Sequence, residues 1–166
     1  MAAAERSINI LVMGVGNALM QDDAIGTHVI DALKASPDTP SYLNIIDGGT
    51  IGLSLLPQME DADAVIIVDA AEIKAEPGTI RLFRDEEIDQ QLSGKRRTVH
   101  EVALVDMFSA AAIRGRMPAR RVLVAIQPEC TEWGMDLTPG VQAAVPKACA
   151  AILEMAAQWQ QAEAAA

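Results

Sequence analysis

Ile8-Asn9-Ile10-Leu11-Val12-Met13-Gly14-Val15-Gly16-Asn17, continued by Ala18-Leu19-Met20-Gln21-Asp22-Asp23, is the stretch around which the chain is organised. A short apolar run enters a Gly-x-Gly turn. Beyond the turn, Ile25, Val29, Ile30 and Leu33 recur at the spacing of one helix face. The segment therefore reads as strand, glycine turn, loop, helix, with two carboxylates at the start of the helix. That unit implies an α/β fold, and the rest of the sequence can be read against it.

Elements continue to alternate. Pro37-Asp38-Thr39-Pro40 breaks the chain, Leu43–Ile46 reads as a strand ending at Asp47-Gly48-Gly49, and Leu53–Leu56 suggests a short helix ending near Met59. Ala64-Val65-Ile66-Ile67-Val68 is a nearly continuous β-branched run, as expected for a strand covered on both faces, and it closes on Asp69. After the Pro77-Gly78 turn, Thr79–Phe83 alternates like an edge strand, and Glu86–Leu92 suggests a short helix. A helix is predicted from His100, since Ala103, Leu104, Met107, Phe108, Ala111 and Ala112 share helical spacing. Val122–Ile126 is another buried strand. Thr138-Pro139 has the chemistry of an N-cap and first helical residue, and Val141, Val145, Cys149, Ile152 and Met155 mark one face of a last helix, with a fraying tail from Gln160. The expectation is a three-layer α/β/α sandwich around a mostly parallel, five-stranded twisted sheet, forming a single domain over residues 1–166.

Composition narrows the class. A chain of 166 residues with 51% hydrophobic residues can bury a substantial core, and with only 3% aromatics that core must be aliphatic. No apolar run approaches the roughly 20 residues that span a bilayer, and Met1–Arg6 lacks the basic start and apolar middle of a signal peptide, so a cytoplasmic protein with no membrane partner is expected. A net charge of −10 argues against nucleic acid. Ten of the thirteen basic residues nevertheless lie between Lys74 and Arg121, against seven acids there, an asymmetry that suits steering of a protein partner as well as ordinary surface. Cys130 and Cys149 are too far apart for a CxxC metal or redox motif.

In a doubly wound sheet, ligands bind beyond the carboxyl ends of the strands. That edge receives Gly14, Gly16, Asn17, Asp22 and Asp23 from the first strand, Asp47 from the second, Asp69 from the third, and Gln127 to Glu129 from the fifth. His100, at a helix start, faces the same edge. Singly, each residue has a plain role: Asp23 as a helix cap at the positive dipole end, Asp47 as turn chemistry, His100 as a structural histidine. Asp69 is harder to dismiss, because a carboxylate closing the most apolar strand needs a partner. Together, carboxylates sharing a cleft repel one another unless a cation is present. One imidazole with two carboxylates suits a borderline divalent metal such as nickel or zinc, and three protein ligands leave coordination positions open.

Several motifs fail. Leu19 stands where GxGxxG needs glycine, which weakens a dinucleotide reading. His100-Glu101-Val102-Ala103-Leu104 opens like HExxH but ends in leucine, which excludes the zincin mechanism. Neither a Walker A nor a GxSxG motif is present. From residues alone, a metal-dependent hydrolase and a nucleotide-binding module on the same fold both remain open.

The motifs also carry a resemblance. Gly14-Val15-Gly16-Asn17 with Leu19 and Asp22-Asp23-Ala24-Ile25-Gly26, then Asp47-Gly48-Gly49-Thr50-Ile51-Gly52, Ile66-Ile67-Val68-Asp69-Ala70, Pro77-Gly78-Thr79, Arg84-Asp85-Glu86-Glu87, Val99-His100 and Leu137-Thr138-Pro139 occur in the order found in NiFe-hydrogenase maturation endopeptidases. The resemblance covers nearly the whole chain. It implies an endopeptidase that removes a C-terminal extension from the hydrogenase large-subunit precursor once nickel has been inserted, with the nickel brought by that substrate. It implies a nickel-contacting set of Asp23, Asp69 and His100, where zinc or another divalent ion can also sit. The first of these acids is often glutamate in the family, one methylene longer. On this reading Asp47 is a candidate general base, an assignment consistent with the aspartyl-protease class, and Lys95, Arg96 and Arg97 are candidate contacts to acidic groups of the precursor.

Overall fold

A computed structural model of the chain describes residues 7–49, 52–94 and 98–166. Thr50, Ile51 and the basic run Lys95, Arg96 and Arg97 lie outside the described residues. Five strands, β1 (Ile10–Val15), β2 (Leu43–Gly49), β3 (Ala64–Ala70), β4 (Ile80–Arg84) and β5 (Arg120–Ile126), form one sheet in the order β2-β1-β3-β5-β4. The first three and β5 run parallel, and β4 pairs antiparallel with β5 at the edge. The mostly parallel five-stranded sheet expected from the sequence is present, with the alternating Ile80–Arg84 segment on its rim.

Helices cover both faces. On one side lie α1 (Ile25–Ala35), α5 (Pro139–Gln142) and α6 (Ala144–Ala164), packed on Ile10, Val12, Ile66, Val68, Val122 and Val124. On the other lie α2 (Leu56–Glu60), α3 (Glu86–Leu92) and α4 (Val99–Ile113), packed on Leu11, Met13, Val65, Ile67 and Leu123. Successive strand residues point to opposite faces, so each strand feeds two cores. Fully burying each such aliphatic side chain contributes about 1.5–3 kcal/mol. The central strand β3 is buried at all seven positions, because β1 and β5 flank it and helices cover it above and below.

Two details of the C-terminal region differ from the sequence reading. The last helix is divided, α5 ending at Gln142 and α6 beginning at Ala144. The region from Gln160 does not fray at once: α6 runs to Ala164, and the Gln160 side-chain carbonyl accepts a bond from the Ile8 N–H at 3.1 Å, tying the helix end to the entry of β1. No helix among the described residues is long and apolar enough to cross a membrane.

Candidate active site at the carboxyl edge of the sheet

The glycine turn after β1 brings α1 against the sheet at backbone distance. A Cβ on Gly26 would stand 2.3 Å from the Val15 carbonyl oxygen and 2.4 Å from that of Val68. Gly16, at φ +142°, is tighter still: its Cβ would stand 1.8 Å from the carbonyl oxygen of Asp23. Only glycine fits there. The turn thus folds back onto the 3-10 turn Gln21–Ala24 and fixes the backbone of Asp23 directly.

Asp23 does not cap the helix with its side chain. Its Oδ2 accepts the Asn17 N–H at 3.0 Å and lies 2.9 Å from His100 Nε2. Burial pushes the Asp23 carboxyl up, but the bond to His100, the Asn17 amide and the His100 charge together hold it below the usual carboxylate range. An ionised carboxylate only accepts, so the imidazole donates through Nε2 in this pair.

His100 reaches the pair from the other face of the sheet. It shares a stripe of α4 with Leu104, Met107 and Ala111, at helical spacing, and that stripe is buried against the sheet. The first turn of α4 is locked by a capping box: Thr98 Oγ1 accepts the Glu101 N–H at 3.2 Å, and Glu101 Oε2 accepts the Thr98 N–H at 2.8 Å. Glu101, the second residue of the failed HExxH, is therefore the device that holds its neighbour His100. The signature Thr98-x-x-Glu101 is visible in the sequence.

Asp69 follows from strand periodicity. Ala64, Ile66 and Val68 face the α1 side and Val65 and Ile67 the α4 side, so Asp69 turns toward α4, the helix that carries His100. Its partner across the ladder is the small Ala125. Asp69 is buried, and its Oδ1 has no hydrogen-bond partner among the described residues. Burial raises its carboxyl well above the ordinary value. The charge of His100 opposes that rise, Asp23 and Glu101 add to it, and the Ala70 amide offsets it slightly. The three residues selected from the sequence are thus in one electrostatic neighbourhood. Among the described residues, however, no group of three or more His, Cys, Asp or Glu side chains is gathered as a ready-made metal cage.

Asp22, which sequence reasoning left without a role, is fully buried and accepts four bonds: from Glu129 N at 2.9 Å, Cys130 N at 3.0 Å, Thr138 N at 2.7 Å and Thr138 Oγ1 at 2.8 Å. Burial pushes this carboxyl up, and the amide and hydroxyl donors of Thr138, Cys130 and Glu129 outweigh it, leaving it below its usual value. Thr138 precedes α5 as expected, but its hydroxyl serves Asp22 rather than the helix. The backbone adds to the clasp, with Gln21 N donating to Gly134 O at 2.9 Å and Gly134 N to Leu19 O at 3.0 Å. The loop after β5 is thereby pinned to the glycine turn across more than a hundred residues of sequence. No local sequence signal marks this contact.

Asn17, Met20, Asp23, His100 and Thr131 line a cleft of about 330 Å³. A second hollow of about 740 Å³ adjoins it, sharing Asp23, Thr98 and Thr131 and extending past Ala70, Lys74, Gln91 and Pro128. Asp47 is on the same sheet edge but lines neither; it is exposed at the end of β2, and its Oδ1 accepts the Gly49 N–H at 2.8 Å. A separate groove of about 440 Å³ surrounds Arg121 at the start of β5, far from these residues along the strand; Arg121 there lies over the Phe108 ring and beside Asp89.

The sequence profile of the hydrogenase maturation proteases matches residues 27–155. This chain belongs to the hydrogenase maturation protease family. It is 40% identical over 147 residues to the hydrogenase 2 maturation protease of Escherichia coli, covering 88% of this chain and 89% of that one. It is 32% identical to the hydrogenase expression/formation protein HupD of Bradyrhizobium diazoefficiens, covering 96% and 83% respectively. Among solved structures, the hydrogenase maturating endopeptidase HybD from E. coli superposes with TM-score 0.85 at 38% identity, covering 91% of this chain and 93% of that one. A NiFe hydrogenase maturation protease from Thermococcus kodakarensis superposes with TM-score 0.77 at 26% identity, covering 90% and 99%. As a member of this family the protein is an endopeptidase of hydrogenase maturation.

Proposed function

We propose that this endopeptidase recognises its substrate, the NiFe-hydrogenase large-subunit precursor, by the nickel the precursor carries, and removes the C-terminal extension in the cytoplasm after nickel insertion. The observation that carries the reading is the Asp23–His100 pair beside the buried Asp69, whose Oδ1 lacks a hydrogen-bond partner among the described residues. Two donors bound to one metal ion at about 2.1 Å each, near a right angle, stand roughly 3 Å apart. Asp23 Oδ2 and His100 Nε2, at 2.9 Å, fit that spacing once a cation replaces the proton between them. Asp69 supplies a third oxygen and, in its charged form, gains the counter-charge that burial otherwise denies it. Nitrogen with two oxygens suits nickel, and zinc or another divalent ion can take the same donors. Remaining positions fall to ligands the precursor brings.

On this reading, metal contact anchors the precursor so that the scissile segment lies along the hollow that runs from Asp23 past Ala70 and Lys74. Asp47, exposed at the neighbouring strand end, is the candidate to accept a proton from water if the substrate brings the bond to it. Lys95, Arg96 and Arg97 contribute attraction for acidic groups on the precursor.

The test is incubation of the purified protein with nickel-loaded and nickel-free precursor. Cleavage of the loaded form alone supports the reading. Equal cleavage of both, at a rate set by added zinc, would mark a metal-dependent hydrolase with its own ion. Full processing by His100→Ala would remove the assigned site.

A further inference from the structure

The cleft is bordered on one side by a rim of large apolar side chains that the described residues leave exposed. Trp133 is 77% exposed, Met135 71%, Val99 78% and Leu19 49%. They belong to three segments, yet the backbone joins them. Gly134, between Trp133 and Met135, donates its N–H to Leu19 O, accepts the Gln21 N–H, and bridges in parallel to Met20. Met20 in turn lines the cleft beside Val99, Thr131 and His100. Val102, one turn beyond Val99 on α4, extends the apolar strip.

We infer that this rim is the surface on which the folded body of the precursor seats while its C-terminal segment enters the cleft. The inference rests on the function proposed above. Three properties favour a protein substrate as the occupant. First, the patch is continuous with the cleft, since Met20 and Val99 belong to both, so a polypeptide entering on that side touches it before it reaches His100. Second, tryptophan and methionine are enriched in the buried centres of protein interfaces, where a few anchors dominate affinity. Third, the patch is held in shape before binding. The Asp22 carboxylate clamps Glu129, Cys130 and Thr138 on either side of Trp133 and Met135, so little ordering entropy is lost when a partner lands. Glu132 and Asp136 are exposed beside the anchors, so the complementary surface is apolar at its centre with basic groups around it.

The rim accordingly measures the fold of the substrate while the acid–histidine set measures its metal. A precursor whose body is not yet folded presents no complementary apolar surface, even if its C-terminal segment is accessible.

Hydroxyl-radical footprinting of the wild-type protein, with and without the nickel-loaded precursor, reads the surface directly. Trp133 and Met135 are expected to lose most of their reactivity on binding, while Trp159, partly buried on α6, is unchanged. In steady-state processing, Trp133→Glu is expected to raise KM about tenfold or more with kcat near wild type, and Ile113→Glu, exposed at the far end of α4, is expected to change neither. Processing with unprotected Trp133 and Met135, or with an unchanged KM in Trp133→Glu, overturns the docking surface and leaves the proposed function standing. A wild-type protein that neither binds nor cleaves the precursor overturns both. A homodimer in light scattering that Trp133→Glu converts to monomer assigns the patch to a second copy and overturns the inference.

Discussion

At the level of a single side chain, Asp69 sets burial against charge. Its carboxyl is buried, one oxygen lacks a hydrogen-bond partner among the described residues, and its pKa is raised chiefly by that burial. A raised carboxyl pKa means the folded state binds the proton more tightly than the unfolded state. The resulting cost is absent at low pH and present once the pH has risen through the folded value. Asp69→Asn removes the ionisable carboxyl, so the variant is expected to gain about 1 kcal/mol at neutral pH, an advantage that fades in acid, and to lose precursor processing. Thermal melts across pH and a cleavage assay check both halves; a variant that is less stable at neutral pH and still active contradicts the assignment. Asp22 behaves in the opposite sense. Its net lowered pKa contributes stability that is present above the unfolded value and lost as the pH falls through the folded one. Asp22→Ala leaves four donors without an acceptor and is expected to cost about 3 kcal/mol or more, read as a shift of the urea midpoint at neutral pH. Its acid limb of unfolding should be correspondingly flatter than wild type.

Elements place the residues that single positions cannot. The turn after β1 is built so that Gly16 touches the backbone of Asp23, and α4 is capped so that His100 is held at its first turn. Gly16→Ala is expected to displace Asp23, because a methyl cannot occupy a site 1.8 Å from a carbonyl oxygen. Processing should fall about 100-fold or more even where the protein still folds, since small misplacements of reacting groups carry costs of that order. Circular dichroism beside the cleavage assay separates misplacement from unfolding. The capping box offers a graded probe. Thr98→Ala is expected to cost about 1 kcal/mol, whereas Glu101→Gln preserves the reciprocal bond and should stay near wild type in stability. Equal losses in the two variants would mean that the cap needs the Glu101 charge itself, because removing that charge beside Asp69 relieves repulsion and by itself costs no stability.

At the scale of the whole molecule, one sheet with helices on both faces brings the ends of β1 and β3, the start of α4 and the loop after β5 to one edge. Two cores share every strand between them, so losing either should release the other. The chain is therefore expected to unfold in one cooperative transition, with an enthalpy near 0.7 kcal/mol per residue at about 60 °C. A calorimetric-to-van't Hoff enthalpy ratio near one would confirm it, and two resolved transitions would divide the chain into separate units.

The sequence alone determined the layered α/β architecture, the parallel core strands and the edge strand, because strand and helix periodicities are local and the buried runs are long. It also determined which residues reach the carboxyl edge, since Asp23, Asp69 and His100 each sit at an element boundary that local patterning reveals. Thr98-x-x-Glu101 was legible too, though its importance is plain only once His100 is seen between the two capping residues. What the tertiary structure decided is pairing across distance. It directed the Asp23 carboxylate to His100 and not to its own helix, engaged Asp47 in a local turn, and gave Asp22 its four donors from a loop more than a hundred residues away. Side-chain direction at a turn depends on what packs against it. Local propensity can put a carboxylate at an edge, but only the assembled fold supplies the hydrogen-bond donors, the burial and the neighbouring charges that decide what the carboxylate does.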